Sequence, residues 1–166
     1  MLIDALKTYY HYNRITTDRV LDTAEKLTKE QWLAPQTAGR GSIRDTLVHL
    51  VAGQRGWLTT WGGVLPPAEA ARAQVTPEDF PDVTAVRTFL HTVDAATQEF
   101  LQKVTEPMLG EVLVRQRAAG GEFRATRWAM MLHVANHGTQ HRSEVAAMLT
   151  AFGHSPGDLD LIRFLP

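Results

Sequence analysis

No cysteine occurs among the 166 residues of this chain. Disulfides and thiolate metal sites are therefore excluded, and any metal must be held by His, Asp or Glu. No charge of one sign dominates: 17 Lys and Arg against 18 Asp and Glu leave a formal net charge of −1. No bulk attraction to nucleic acid or to a membrane surface is therefore expected. No apolar run approaches the length of a transmembrane helix. The opening "MLIDALKTYYHYNR" has no basic segment followed by an apolar one, so it does not read as a signal peptide. Cytoplasmic residence is the expectation that these absences leave. Internal repeats, low-complexity segments, phosphate loops, dinucleotide fingerprints and serine-nucleophile motifs are also missing.

What is present is an ordinary globular composition, 44% hydrophobic and 21% charged, in a length that suits one domain spanning 1–166. Four long helical segments stand out. The first covers roughly 2–27, with Leu2, Leu6, Tyr9, Tyr10, Val20, Ala24 and Leu27 as its expected apolar side. The breaker-rich "APQTAGRG" follows. The second opens at Ser42, with Asp45 three residues on as a capping pattern, and continues to about Trp61. The third carries Val83, Val86, Leu90, Val93, Thr97, Phe100 and Val104 at helical spacing. The fourth runs from about Thr126 to Phe152 and stops at Gly153. Before it, residues 111–117 and 122–126 flank "AAGG" and suggest a short hairpin or extended loop. The tail "HSPGDLDLIRFLP" carries an apolar end expected to dock on the helices. The fold class expected is all-α, a four-helix bundle.

The segment "HVANHGTQHRSEV" places His133, His137 and His141 four residues apart. The chain has seven histidines, for which chance predicts about 0.3 such pairs. On a helix the outer two lie about 40° either side of His137, on the side that also carries Met130, Val134, Val145, Met148 and Phe152. All three are therefore expected to face the core, away from a solvated stripe of Asn136, Thr139 and Arg142. Core histidines satisfied by hydrogen bonds are the plain alternative to a metal site. Imidazoles one turn apart can reach one ion, as in H-E-x-x-H helices, but the Glu of that motif is missing. A further ligand from another helix is then needed.

His49, in "SIRDTLVHLVAGQRGWL", is the best candidate for that ligand. Its side of the helix carries Ala52, Gly53 and Gly56, and glycine inside a helix is about 1 kcal/mol less favourable than alanine. The two glycines imply that space is wanted there, for tight helix packing or for a substrate. Gln54 sits in the apolar stripe and needs partners: it orients a ligand or a metal-bound water, or merely caps a loop. Glu144 lies about 20° from His137, as a carboxylate behind the ligands, a fourth ligand, or one half of a salt bridge. Trp57 and Trp61, downstream of His49, are candidates to shape a pocket. Arg115, Arg117, Arg124 and Arg127 read as a solvated face or as carboxylate recognition. His11, His91 and His154 have no partner at ligand spacing and read as surface or half-buried.

At these residues the sequence resembles the DinB/YfiT-like metalloenzyme family. "GSIRDTLVHLVAGQRGWL" resembles the family's second helix with its single His. "LHVANHGTQHRSEVAAMLTAFG" resembles its last helix, where N-H-x-x-x-H-R is the core, and "DLDLIRFLP" is similar to its tail. The resemblance implies up-down-down-up connectivity and a homodimer. It implies that His49, His137 and His141 form the metal triad, usually with zinc or nickel, and makes His133 a neighbour. The sequence departs from the family at Gln54, where many relatives are acidic, and at "HRSE", where many read "HRGQ". The wider superfamily implies a metal-dependent thiol S-transferase or isomerase, its partners a low-molecular-weight thiol such as bacillithiol or mycothiol and an electrophile. Metal-dependent hydrolysis through bound hydroxide, or a non-catalytic metal-binding or partner-binding bundle whose open position Glu144 fills, are the other readings.

Overall fold

The structure, a computed structural model, describes residues 1–116 and 120–165. Arg117, expected at the end of the first hairpin arm, lies outside them. Helix α1 spans Leu2–Ala24, shorter than the expected 2–27, because the backbone N–H groups of Lys26 and Leu27 turn back to Thr23 and Ala24. A short α2, Lys29–Leu33, follows, with Thr28 and Gln31 forming a capping box. Then come α3 (Ile43–Trp61), α4 (Pro67–Ala70), α5 (Val83–Lys103) and α6 (Glu106–Leu109). The expected hairpin is present as strands β1 (Val112–Gln116) and β2 (Glu122–Thr126), antiparallel, with Val114 opposite Arg124. Helix α7, Arg127–Ala151, ends before Gly153 at φ +84°.

The long helices α1, α3, α5 and α7 make the body of the molecule. Helix α7 packs against α1 and α3, and α5 packs against the same two. The apolar side chains form two clusters. One joins Val20 and Leu21 of α1 to Leu47 and Val51 of α3, Val86 and Leu90 of α5, and Val145 and Leu149 of α7. The other joins Leu6 and Tyr10 to Leu58 and Trp61, Phe100 and Leu101, and Met131 and Val134. The third expected helix buries the stripe read from it, except that Val83 is only partly buried. On α1, Leu2 is exposed instead of buried, while Asn13, Thr16 and Thr17 are buried. These polar residues tolerate burial because each side chain bonds a carbonyl: Asn13 that of Ala135, Thr16 that of Tyr12, and Thr17 that of Asn13. The tail docks through Phe164, edge-on to Tyr12 at 5.6 Å between ring centroids. No helix among the described residues is long and apolar enough to cross a membrane.

Helix α3 starts where the Ser42 hydroxyl accepts from the Asp45 N–H at 3.1 Å and Asp45 accepts from the Ser42 N–H at 3.3 Å. The cap satisfies donors that the helix itself leaves open. Because Ser42 is buried, water cannot replace it. Ser42→Ala is expected to lower unfolding stability by about 1 kcal/mol, measured by urea denaturation with an unchanged slope. An unchanged midpoint would deny the cap this role.

Candidate metal centre

Helices α3 and α7 bring His49, His137 and His141 together. The His137 Nε2 atom lies 3.2 Å from His49 Nε2 and 3.1 Å from His141 Nε2. One nitrogen from each ring can be chosen so that all three lie within 4.8 Å of one another, a set that could hold a metal ion. A tetrahedral ion with Zn–N bonds of about 2.0–2.1 Å sets its ligand nitrogens roughly 3.3 Å apart. The two short separations match that edge, and the donor set fits such an ion in its chemistry.

The space around the rings is provided by backbone. A Cβ on Gly53 would stand 3.2 Å from His137 Cε1, and one on Gly56 would stand 3.3 Å from an Arg115 guanidinium nitrogen. The two mid-helix glycines therefore make room for the His137 ring and for Arg115. Behind the cluster, Glu144 Oε2 lies 2.6 Å from His141 Nδ1. A carboxylate only accepts, so His141 Nδ1 carries the proton and its Nε2 presents a lone pair to the cluster. Burial alone would raise the Glu144 carboxyl, but hydrogen bonds from Gln140 and His141 hold it below the usual range.

Burial, then neighbouring charge, keeps the His49 and His137 rings neutral. His49 is lowered by burial first and by His141 and Arg40 next. His137 is lowered to about 4, by burial first, then by the neighbouring His141, His49 and His133. Neutral imidazole is the form that ligates a metal.

Not every histidine of the row faces inward. His141 is buried, His137 half-buried and His133 exposed. Arg142, expected with the solvated stripe, is only 2% exposed. The buried stripe of α7 runs through Val134, Gly138, Val145 and Leu149, so its centre lies about 90° from His137. Glycine gives almost no hydrophobic signal, so a side chosen by apolar residues around His137 is centred too far toward the histidines. His133 instead packs its ring 5.4 Å from Trp57 and 6.0 Å from His137.

The other candidate residues are scattered. Gln54 is buried and donates to Thr97 Oγ1 at 3.0 Å. Trp61 is wholly buried against Tyr10 and Phe100. Trp57 is half-buried, meets Phe123 at 6.2 Å, and lies under the Arg115 guanidinium at 4.0 Å. Of the arginines read as one face, Arg115 donates to Gly56 O and Thr60 Oγ1, Arg124 is exposed and pairs with Glu122, and Arg127 is buried and pairs with Glu111. His11 and His91 are exposed and His154 is half-buried, as their isolation in the sequence implied.

The sequence pattern of the DinB family matches residues 1–166. This chain belongs to the DinB family. It is 26% identical over 163 residues to the protein DinB of Bacillus subtilis strain 168, covering 94% of this chain and 92% of that protein. Its fold is similar to a DinB-like protein from Bacillus cereus, with TM-score 0.62 and 15% identity over 93% of this chain and 95% of the other. A DinB family member from Exiguobacterium sibiricum superimposes with TM-score 0.64 and 20% identity over 96% and 97%.

Acid should test the neutral state of the cluster directly. In unfolded chain His137 titrates near 6.5; in the folded chain it titrates at about 4. Between these values the unfolded state binds more protons, so stability falls as pH drops from 6.5 toward 4 and then levels. Metal-free protein is expected to lose Tm over that window, and His137→Gln to lose less. Identical pH profiles for the two proteins would show that His137 is not the group responsible.

Proposed function

We propose that this DinB family protein is a divalent-metal enzyme that transfers a low-molecular-weight thiol to an electrophile, or isomerises a substrate through such a thiol. The observation that carries the reading is the convergence of three imidazole nitrogens, with a carboxylate fixed behind one of them. His49, His137 and His141 would hold the ion, zinc or nickel being the expected metals. When bound, such an ion supplies positive charge that lowers the pKa of a thiol, and three neutral ligands leave that charge undiminished.

The chain's own residues supply the rest. Glu144 keeps His141 in the tautomer that ligates. Its carboxylate is engaged with His141 Nδ1, which speaks against Glu144 as a fourth ligand closing the site. Trp57 and Phe123 form an apolar wall beside His133, suited to seating an electrophile. In the transfer, the sulfur–carbon bond forms as the carbon's leaving group departs, and the thiol proton passes to solvent.

The architecture in this reading is one domain, a four-helix bundle with up-down-down-up connectivity. The division of the core supports it: one cluster joins the end of α1 and of α7 to the start of α3 and of α5, and the other joins the opposite ends. A homodimer is the assembly that the resemblance implies, and cytoplasmic residence is the expectation left by the absence of targeting signals in the sequence.

Protein purified without a His tag is expected to carry about one divalent ion per chain, and His137→Ala to lose it. Full retention by that variant would overturn the ligand assignment. The metal-loaded protein, screened across thiols and electrophiles, is expected to turn over only with a thiol present. Thiol-independent hydrolysis of an ester or amide would assign the hydrolytic reading instead.

A further inference from the structure

Midway along the long helices the core stops being apolar. A cavity of about 10 Å³ is walled by residues of all four, among them Asn13 of α1, Gln54 of α3, Asp94 of α5, and Gly138 and Arg142 of α7. Arg14 and Thr17 of α1, Leu50 and Leu90 from one apolar cluster, and Val134 from the other complete its lining. The cavity therefore lies where the two clusters meet.

Arg142 meets no carboxylate among the described residues, and Asp94 meets a cation, Arg14, only at 3.7 Å. The Arg142 guanidinium donates Nη2 to Asn13 Oδ1 at 2.6 Å and to Thr139 Oγ1 at 3.1 Å. Its Nε and Nη1 are buried and have no hydrogen-bond partner among the described residues. No carboxylate pairs with it there, although the Tyr12 ring lies 5.0 Å away. A Cβ on Gly138 would stand 2.8 Å from Nη1, which puts that unpaired nitrogen beside the Gly138 wall of the cavity. Asp94 is 6% exposed. Its contacts are long, 3.4 Å from Gln98 Nε2 and 3.7 Å from Arg14 Nε. Gln54 uses its Nε2 on Thr97, which leaves its amide oxygen as a further acceptor. Burial raises the Asp94 carboxyl, and Arg142 keeps two buried donors without a partner among the described residues.

We propose that this cavity is a binding site for one water molecule, which accepts from Arg142 and donates to Asp94, joining a buried cation to a buried anion that do not touch. The alternatives fail on charge. An anion would face Asp94, and a cation would face Arg142. A neutral molecule that both donates and accepts suits the two together, and the volume matches about one water. Such a water makes about three hydrogen bonds, and Gln54 offers the third. Leaving the guanidinium unpaired would be far less favourable than bridging it. The water then ties α7 to α5 and α3 at the level where apolar packing is interrupted.

The test needs no variant in its first arm. A crystal structure of the full chain, good enough to order internal waters, is expected to show one peak within hydrogen-bond distance of Arg142 and Asp94. A dry cavity, or a direct Arg142–Asp94 ion pair, would overturn the proposal. The second arm is a thermal-denaturation cycle of Arg142→Met, Asp94→Asn and the double variant. Each single change is expected to lower Tm by about 5 °C or more, and the double change by clearly less than their sum. Strictly additive losses would overturn the bridge.

Discussion

Three imidazole nitrogens within 4.8 Å of one another, with His137 in hydrogen-bond distance of both others, can share that space in few ways. With Nε2 separations of 3.1 and 3.2 Å, a second proton on more than one ring would set like charges side by side in a half-buried place. The rings are stable there as neutral donors, and several lone pairs in so small a volume are best satisfied by a cation. Much of the local design follows from that constraint. Glu144 holds the proton of His141 on the far nitrogen. Gly53 admits the His137 ring against α3. The depressed pKa values of His49 and His137 result from the same crowding and burial.

The second constraint is the polar layer between the two apolar clusters. Arg142 directly follows His141, yet about 100° further round α7 it serves a different side, where Asn13 and Thr139 hold it. Gly138 gives way to it as Gly53 gives way to His137. Helix α7 is thus committed on two sides, to α3 through the histidines and to α1 through Arg142. Helix α7 keeps a solvent-facing side, where Leu132, Asn136, Gln140 and Ser143 are exposed, while Arg127, His141 and Arg142 are buried.

Much of this was legible in the residues. Helical spacing located the long helices, the Ser42–Asp45 pattern located a cap, and the Gly pair located a hairpin. The i,i+4 histidines and the mid-helix glycines beside His49 pointed to one place, because each has a local spacing that betrays it. Other features carry no such signal. The inward side of α7 was misread because its centre is a glycine. The burial of Arg142 and of Asn13 depends on partners more than a hundred positions away in the chain. Gln54 lies in the buried stripe of α3 as its neighbours imply, and Trp61 is buried with it, but neighbourhood in sequence to His49 does not bring either to the cluster. Residues on one helix at different angles serve different neighbours, and only tertiary packing decides which.

The central claim, that His49, His137 and His141 hold one metal ion through neutral nitrogens, is tested most directly by X-ray absorption at the edge of the bound metal. For zinc, the account predicts three imidazole nitrogens at about 2.0–2.1 Å and one further light ligand, replaced by sulfur at about 2.3 Å when a thiol is added. A shell made only of oxygen, or one containing fewer than three imidazoles, would contradict it.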